Sequence, residues 1–367
     1  MQVKKYLMQS KIILIIASFL LIILLSCEKR NIVYKVPLYK SNTNTNILVD
    51  YIKSDFLKNG GMVTEFYVNN GGNDIVLSES QGLLMEIAVY TRDKELFDLS
   101  YNFLKERMRL KSGLFSWKLN LKTNEISPSN ATIDDLRIYR NLVFAEQIWG
   151  NYKTEIKSLE NALKNLYHRG FISDLYDGFG SSSLFSLFYY DYIGSLFLTK
   201  NLFTFRNLLH KQNEILEKAN ISNLFPLYYE TYDINKKIFL SINEINLLHS
   251  LLVLYNSSKA GKNIETQYNW LKSSFYKEKG LYSKYSLSGK AISNLESTAI
   301  YSYAIMIALR QEDLSFAKDL HSKRNTLLTQ GKLGILLPIS YKGNIIYSFD
   351  ILTYVLSLLE VTYEKEI

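Results

Sequence analysis

From residue 47 to the C-terminus, apolar side chains recur at three- and four-residue intervals with few interruptions. That period belongs to helices with one buried face, so the chain is predicted to be helix after helix. The segments run over 47–58, 78–90, 94–110, 132–149, 153–169, 182–198, 201–220, 243–258, 263–278, 295–310, 314–329 and 350–363. Only four prolines occur, and Pro128, Pro226 and Pro338 fall between segments, where a residue without an amide hydrogen breaks no helix. Ranges 182–198 and 295–310 are too apolar to keep a solvated face and are expected to be buried all round. Buried helices alternating with amphipathic ones suit an inner ring inside an outer ring. The expected fold is all-α, a helical barrel or toroid of α/α type with short extended loops and hairpins, in one domain over 47–367.

A faint repeat supports this. Gly113-Leu114-Phe115-Ser116, Gly170-Phe171-Ile172-Ser173 and Gly280-Leu281-Tyr282-Ser283 each follow an amphipathic segment and precede a buried one. Each reads as a short extended passage from outer ring to inner ring. Glycine also ends helices for purely local reasons, and any one of the three is open to that simpler account.

The first residues are targeting rather than fold. Lys4, Lys5 and Lys11 precede an apolar run, Ile12 to Leu25, and then Leu24-Leu25-Ser26-Cys27. This resembles a bacterial lipobox, so residues 1–27 are expected to be a lipoprotein signal peptide and Cys27 the lipidated mature N-terminus. An uncleaved signal anchor is the alternative. Either puts the remainder on the extracellular face of the cytoplasmic membrane. Residues 28–46 are polar and read as a tether. Cys27 is the only cysteine, so no intrachain disulfide can form and stability must come from the core.

The net charge of +8 is spread among interleaved acids, with no basic block carrying aromatics, which argues against a nucleic-acid partner. His168, His210, His249 and His321 have no metal-ligand spacing, and no Gly-rich phosphate loop or nucleophile elbow is present. No cofactor and no metal are expected, and the protein is expected to be a monomer.

In such a barrel the inner helices run parallel and their N-termini open on one face. Carboxylates on the first turn of several inner helices would converge there. Ser78-Glu79-Ser80-Gln81 has the form of a capping box with Glu79 just inside; Thr132-Ile133-Asp134-Asp135 and Ser241-Ile242-Asn243-Glu244 have the same form. Acids at helix starts are also ordinary, because they complement the macrodipole.

Beyond this pattern, Ser78-Glu79-Ser80-Gln81-Gly82 resembles the Ser-Glu-Gly-Gln-Gly string of glycoside hydrolase family 8. Gly113 to Trp117 resembles that family's Gly-Leu-Phe-x-Trp, and Ala131-Thr132-Ile133-Asp134-Asp135-Leu136-Arg137-Ile138 resembles its Ala-Thr-Asp-Ala-Asp-Leu-Asp-Ile. The resemblance implies an (α/α)6 barrel and inverting hydrolysis of a β-linked polysaccharide; endo action is the expectation added to it. It makes Glu79 the general acid, and Asp135, with Asp134 and Arg137 beside it, the group that holds the sugar. Arg137 stands where the family carries Asp. Trp117 corresponds to the Trp that lines the cleft. The family's base lies in a Tyr-Asp-Ala-x-Arg string that is absent here; Glu244 is the expected substitute, with Asp233 the competitor from a hairpin spanning 228–240.

An inverting hydrolase needs a protonated acid and an ionised base roughly 6.5–9.5 Å apart. A helix N-terminus alone would lower Glu79, whereas burial and a like charge raise it, and Asp135 is the expected like charge. Tyr229 and Tyr232, lying between helices, are expected to line the cleft with Trp117, while Phe185, Phe188 and Phe197 are expected in the core. The expected substrate is an exopolysaccharide of the producing cell, within reach of a lipid-anchored enzyme. Two alternatives remain: a catalytically inactive glycan-binding lipoprotein of a polysaccharide export system, or an α/α-barrel polysaccharide lyase.

Overall fold

The chain reverses between helices in very few residues. Arg92 takes a left-handed conformation (φ 62°), its amide donating back to the carbonyls of Ala88 and Val89. The Asp93 carboxylate then accepts from the Leu96 amide at 3.0 Å and starts the next helix. Repeated along the chain, such turns give helical hairpins. The structure is a computed structural model and describes residues 36–39, 43–68, 70–331, 334–340 and 344–364. Residues 1–27 with Cys27, and 28–35 of the tether, lie outside the described residues.

Among the described residues there are twelve α-helices. They are α1 (Thr43–Tyr51), α2 (Ser78–Thr91), α3 (Lys94–Phe103), α4 (Thr132–Trp149), α5 (Lys153–Leu163), α6 (Tyr192–Asn201), α7 (Leu208–Lys218), α8 (Leu247–Lys259), α9 (Glu265–Glu278), α10 (Thr298–Arg310), α11 (Leu314–Asn325) and α12 (Ser348–Glu364). The unit Leu38–Ile367 holds all of them. The even-numbered helices pack in cyclic order: α2 on α4, α4 on α6, α6 on α8, α8 on α10, α10 on α12, and α12 back on α2. Each odd-numbered helix from α3 on returns the chain to the next even one, so the six central helices run in one direction. α10 is buried from Thr298 to Leu309, as expected of an inner helix. No described helix is long and apolar enough to cross a membrane.

Short antiparallel strands crown the N-terminal ends of the central helices. The strand Ile75–Leu77 runs into α2 and pairs with Lys118–Asn120. Leu184–Ser186 precedes α6 and pairs with Thr231–Asp233, which pairs in turn with Ile238–Phe239. Glu244–Asn246 leads into α8 and pairs with Lys284–Ser286, while Ile345–Tyr347 leads into α12 and pairs with Glu65–Tyr67. The expected hairpin over 228–240 is present in this crown. Of the three repeat glycines, Gly113 and Gly170 turn the chain in the left-handed region (φ 87° and 93°); at the third site Lys279 takes that conformation (φ 58°) and Gly280 does not.

Three boundaries differ from expectation. Range 182–198 is a strand, a 3-10 turn at Leu187–Tyr189 and only then a helix, begun when the Asp191 carboxylate accepts from the Gly194 amide at 2.8 Å. An apolar run with no polar face has no period that separates strand from helix. Range 243–258 likewise opens with a strand, so Glu244 lies on a sheet edge rather than on the first turn of a helix. At the N-terminus, α1 begins at Thr43, inside the range expected to be tether.

Below the crown the centre of the ring is polar. Arg140 of α4 pairs with Glu86 of α2 and with Asp191 at the start of α6, all three buried. The Tyr90 hydroxyl also donates to Glu86 at 2.9 Å. Burial pushes the Glu86 carboxyl up, but Arg140 and Lys259 outweigh it and hold the group below its ordinary value. One ion cluster thus stitches three central helices together.

Candidate active site

Gly82 lets α2 and α4 approach. A Cβ there would meet the Arg137 side chain at 3.1 Å, and its carbonyl accepts from the Asn141 side-chain amide at 3.0 Å. Ser80 meets Ser348 across 2.7 Å and ties α2 to α12. These contacts fix the first turn of α2, which carries Glu79, at the crowned end of the ring.

The expected capping boxes do not form. Ser78 donates instead to Asp134 at 2.6 Å, joining the starts of α2 and α4. Gln81 accepts from the Met62 amide and donates to the Gly60 carbonyl, holding the hairpin Leu57–Met62. Thr132 donates to the Ser173 carbonyl at 2.7 Å. Side chains that look like caps in sequence are spent on tertiary contacts.

Glu79 keeps partial solvent access but is walled by protein, and its carboxylate accepts no hydrogen bond among the described residues. Burial first, then the Asp134 charge and more weakly Asp350, push its carboxyl up to about 7 against the opposing pull of Arg137. Asp134 is ion-paired with Arg137 at 3.0 Å. Asp350, on the first turn of α12, accepts from the Ser297 hydroxyl at 3.0 Å and the Ala299 amide at 3.2 Å. Burial and then Asp134, Asp174 and Glu79 raise the Tyr189 hydroxyl far above its ordinary value, which sets this phenol among three carboxylates. Tyr303, raised by burial with Arg137 opposing and Glu86 and Glu79 adding, lies between the site and the ion cluster below. A proton donor at neutral pH therefore sits on the rim beside an ion-paired carboxylate.

Several expected site residues are placed otherwise. Asp135 is fully buried; one oxygen accepts from the Phe115 amide at 3.0 Å and the other from Asn130 at 2.7 Å. Burial pushes it up to about 8, with those two donors opposing. It is a latch that fastens the Gly113–Trp117 segment to α4, and the like charge beside Glu79 is Asp134 instead. Replacing Asp135 by Ala should cost about 1–3 kcal/mol, because the Phe115 amide and Asn130 lose their acceptor. Denaturant unfolding checks this, and Asp135→Asn, which keeps one acceptor, should cost less.

Glu244 is exposed and paired with Lys284. Asp233 is consumed in its hairpin turn, accepting from the Asn235 and Lys236 amides at 3.0 and 2.9 Å. The Lys236 amide and side chain hold that carboxyl below its ordinary value. Tyr232 is buried between Phe171 and Phe239, so it is core of the crown rather than cleft. Tyr229 is half-buried and stacks on Phe239 at 5.2 Å. Trp117 is 40% exposed, and its carbonyl accepts from the Ser78 amide at 3.1 Å, which puts it next to Glu79. Phe185 and Phe197 are core, whereas Phe188 is half-buried and stacks face to face on His249 at 3.9 Å.

The sequence did not single out Glu230 and His249. Glu230 lies in the crown and accepts from the Asn246 amide at 3.1 Å, and His249 Nδ1 lies 3.2 Å from the same oxygen. Burial raises Glu230, but the adjacent His249 ring and the donating Asn246 amide outweigh it, so the carboxyl stays below its ordinary value. Asn246, which caps α8 through the Leu248 amide, was legible as an Asn before an apolar run. Its approach to Glu230, sixteen residues away across a hairpin, was not. No cluster of three or more His, Cys, Asp or Glu among the described residues could hold a metal ion.

A family model described as Glycosyl hydrolases family 8 matches residues 28–172. A novel alpha-amylase from Clostridium perfringens is 31% identical with a TM-score of 0.79, over 87% of this chain and 97% of that one. YdaJ of Bacillus subtilis (strain 168), a provisionally named lipoprotein, is 28% identical over 68% of this chain and 69% of its own length. A cold-adapted family 8 xylanase solved in complex with substrate shares the fold, at 15% identity and a TM-score of 0.65, over 88% of this chain and 92% of that one.

Proposed function

The chain belongs to glycosyl hydrolase family 8 as a divergent member, and from that premise we propose that it hydrolyses a polysaccharide with inversion at the anomeric carbon, inside an (α/α)6 barrel. Family membership points to glycoside hydrolysis of β-glycans. The cyclic packing of α2, α4, α6, α8, α10 and α12 supports the barrel. The observation that carries the function is Glu79, a carboxyl pushed up to about 7 on the rim beside Asp134, which is paired with Arg137 and is itself raised by burial.

In this scheme Glu79 gives its proton to the glycosidic oxygen as the bond to the leaving sugar breaks. Asp134 raises the acid's affinity for that proton, and Arg137 and the Ser78 hydroxyl oppose the burial that raises Asp134 itself. Trp117 offers a ring face to the sugar. An ionised carboxylate must activate the water, and Glu230 suits the role better than Glu244 or Asp233. It is half-buried, held below its ordinary value with His249 and the Asn246 amide beside it, and stands at the start of α8, a central helix of the same rim. Glu244 and Asp233 are engaged by Lys284 and by a turn.

A second reading concerns linkage. The Clostridium perfringens relative is an alpha-amylase, and this chain departs from the family strings at Ser80, Ile133, Asp134 and Arg137, around the acid itself. The second reading is therefore an α-linked glucan substrate. Purified protein incubated with barley β-glucan, xylan and amylose, followed by reducing-end assay, separates the two. Proton NMR of the first product reads the stereochemistry: inversion gives the anomer opposite to the bond cleaved. Retention of configuration, or no turnover on any of the three together with no binding to them, contradicts the proposal. Lipidation at Cys27, an extracellular site of action, endo cleavage and an exopolysaccharide substrate complete it; Cys27→Ser should move the protein from the membrane fraction to the soluble one.

A further inference from the structure

Phe179 is 99% exposed, the most exposed large apolar side chain among the described residues. Its backbone is nonetheless tightly held. The chain folds back through a bridge between Tyr176 and Ser181, with Gly178 in the left-handed region (φ 95°). The Asp177 carboxylate accepts from the Phe179 and Gly180 amides at 2.9 and 3.0 Å, and the Tyr176 hydroxyl donates to the Gly178 carbonyl at 3.1 Å. A braced turn that keeps a bare ring in water forgoes the gain from burying it and leaves a fixed ring face open to a ligand.

The base of this turn is fastened to the site. The Asp174 carbonyl accepts from the Thr132 amide at 2.9 Å, and its carboxylate accepts from the amide and hydroxyl of Ser186 at 2.6 and 2.7 Å. The Tyr176 amide donates to the Asn130 side chain at 2.6 Å, and Asn130 in turn holds Asp135. One residue earlier, the Ser129 carbonyl accepts from the Trp117 amide at 3.1 Å. Trp117 and the Phe179 turn are thus anchored on consecutive residues just before α4, and Trp117 adjoins Glu79.

The geometry points to Phe179 as an outer sugar-stacking subsite, which takes the apolar face of a pyranose in a glycan chain that extends from Glu79 past Trp117. This rests on the glycosidase function proposed above. Phe179 offers a ring face and no charge, and the acid within its own turn, Asp177, is occupied by backbone amides. The fitting ligand is a neutral hexose or pentose unit of a polymer, several sugars from the cleaved bond. Such a subsite favours long chains over short ones.

Binding is measured without turnover by native gel retardation of Glu79→Gln in gels containing soluble β-glucan, xylan or amylose, compared with Glu79→Gln/Phe179→Ala and Glu79→Gln/Phe179→Tyr. The Ala variant should lose roughly five- to tenfold in affinity and the Tyr variant should recover most of it, as expected for loss and return of one stacking ring. On whichever polymer is hydrolysed, Phe179→Ala should lower the polymer-to-trisaccharide ratio of kcat/KM by a similar factor. Equal retardation of all three proteins overturns the inference, as does an unchanged ratio. Loss of binding to phosphatidylglycerol vesicles on Phe179→Ala, with glycan binding intact, would reassign the ring to a lipid surface. Glycan retardation that depends on Phe179 in a protein without hydrolysis would sink the glycosidase reading while leaving the subsite standing.

Discussion

Glu79→Gln is expected to lower kcat by about 10²–10⁴-fold, the usual worth of a positioned general acid, while the protein melts at an equal or higher temperature. The two effects share one cause. The folded carboxyl titrates near 7, above its ordinary value of 4.5. The folded state therefore binds this proton more tightly than the unfolded chain does. Stability is lost as pH rises from 4.5 through about 7, where the buried group must ionise. Gln keeps the shape and removes the charge, so at pH 8 the variant should gain about 1–2 kcal/mol, allowing for the side chain's partial solvent access. At pH 4 the gain should vanish. A variant that loses both activity and stability would mean that Glu79 is a structural residue.

Arg140→Met carries the largest expected loss of stability, about 3–5 kcal/mol, because Glu86 and Asp191 would be left buried without their shared cation. The loss should shrink toward acidic pH, where the two carboxyls can take up protons. Glu86→Gln/Arg140→Met/Asp191→Asn, which removes every charge of the cluster, should recover most of it. Denaturant unfolding at pH 5 and pH 8 measures both. Because the cluster joins α2, α4 and α6 beneath Glu79, the single variant should lose activity in proportion to the folded fraction and no further. A single variant as stable as wild type would show that the central ions are not coupled.

Where a helix has one wet face, its existence was legible from period alone, as for α3, α5 and α9. Range 182–198 was not, because a wholly apolar stretch carries no face; the strand Leu184–Ser186 is dictated by its partner Thr231–Asp233, and Asp191 starts the helix late. The site was legible where it is local. Glu79, Asp134 and Trp117 stand in short strings that are read directly, and they do lie close to one another. Roles that depend on distant partners were not legible. Asp135 and Asp134 are neighbours in sequence, yet a helix turns successive side chains about 100° apart, so one faces Phe115 and the other Ser78. Glu244 was expected as the base with Asp233 its competitor; Lys284, a distant residue in sequence, engages Glu244, while Glu230, not singled out in the sequence, has His249 beside it.

The most direct test of the central claim is the pH dependence of kcat/KM on a hydrolysed polysaccharide, for wild type and Asp134→Asn. A protonated Glu79 predicts an alkaline limb near pH 7, moved to lower pH in Asp134→Asn because the neighbouring negative charge that held the proton is gone and Arg137 is left unpaired. A wild-type profile that stays flat to pH 9, or a limb that Asp134→Asn leaves unmoved, would contradict it.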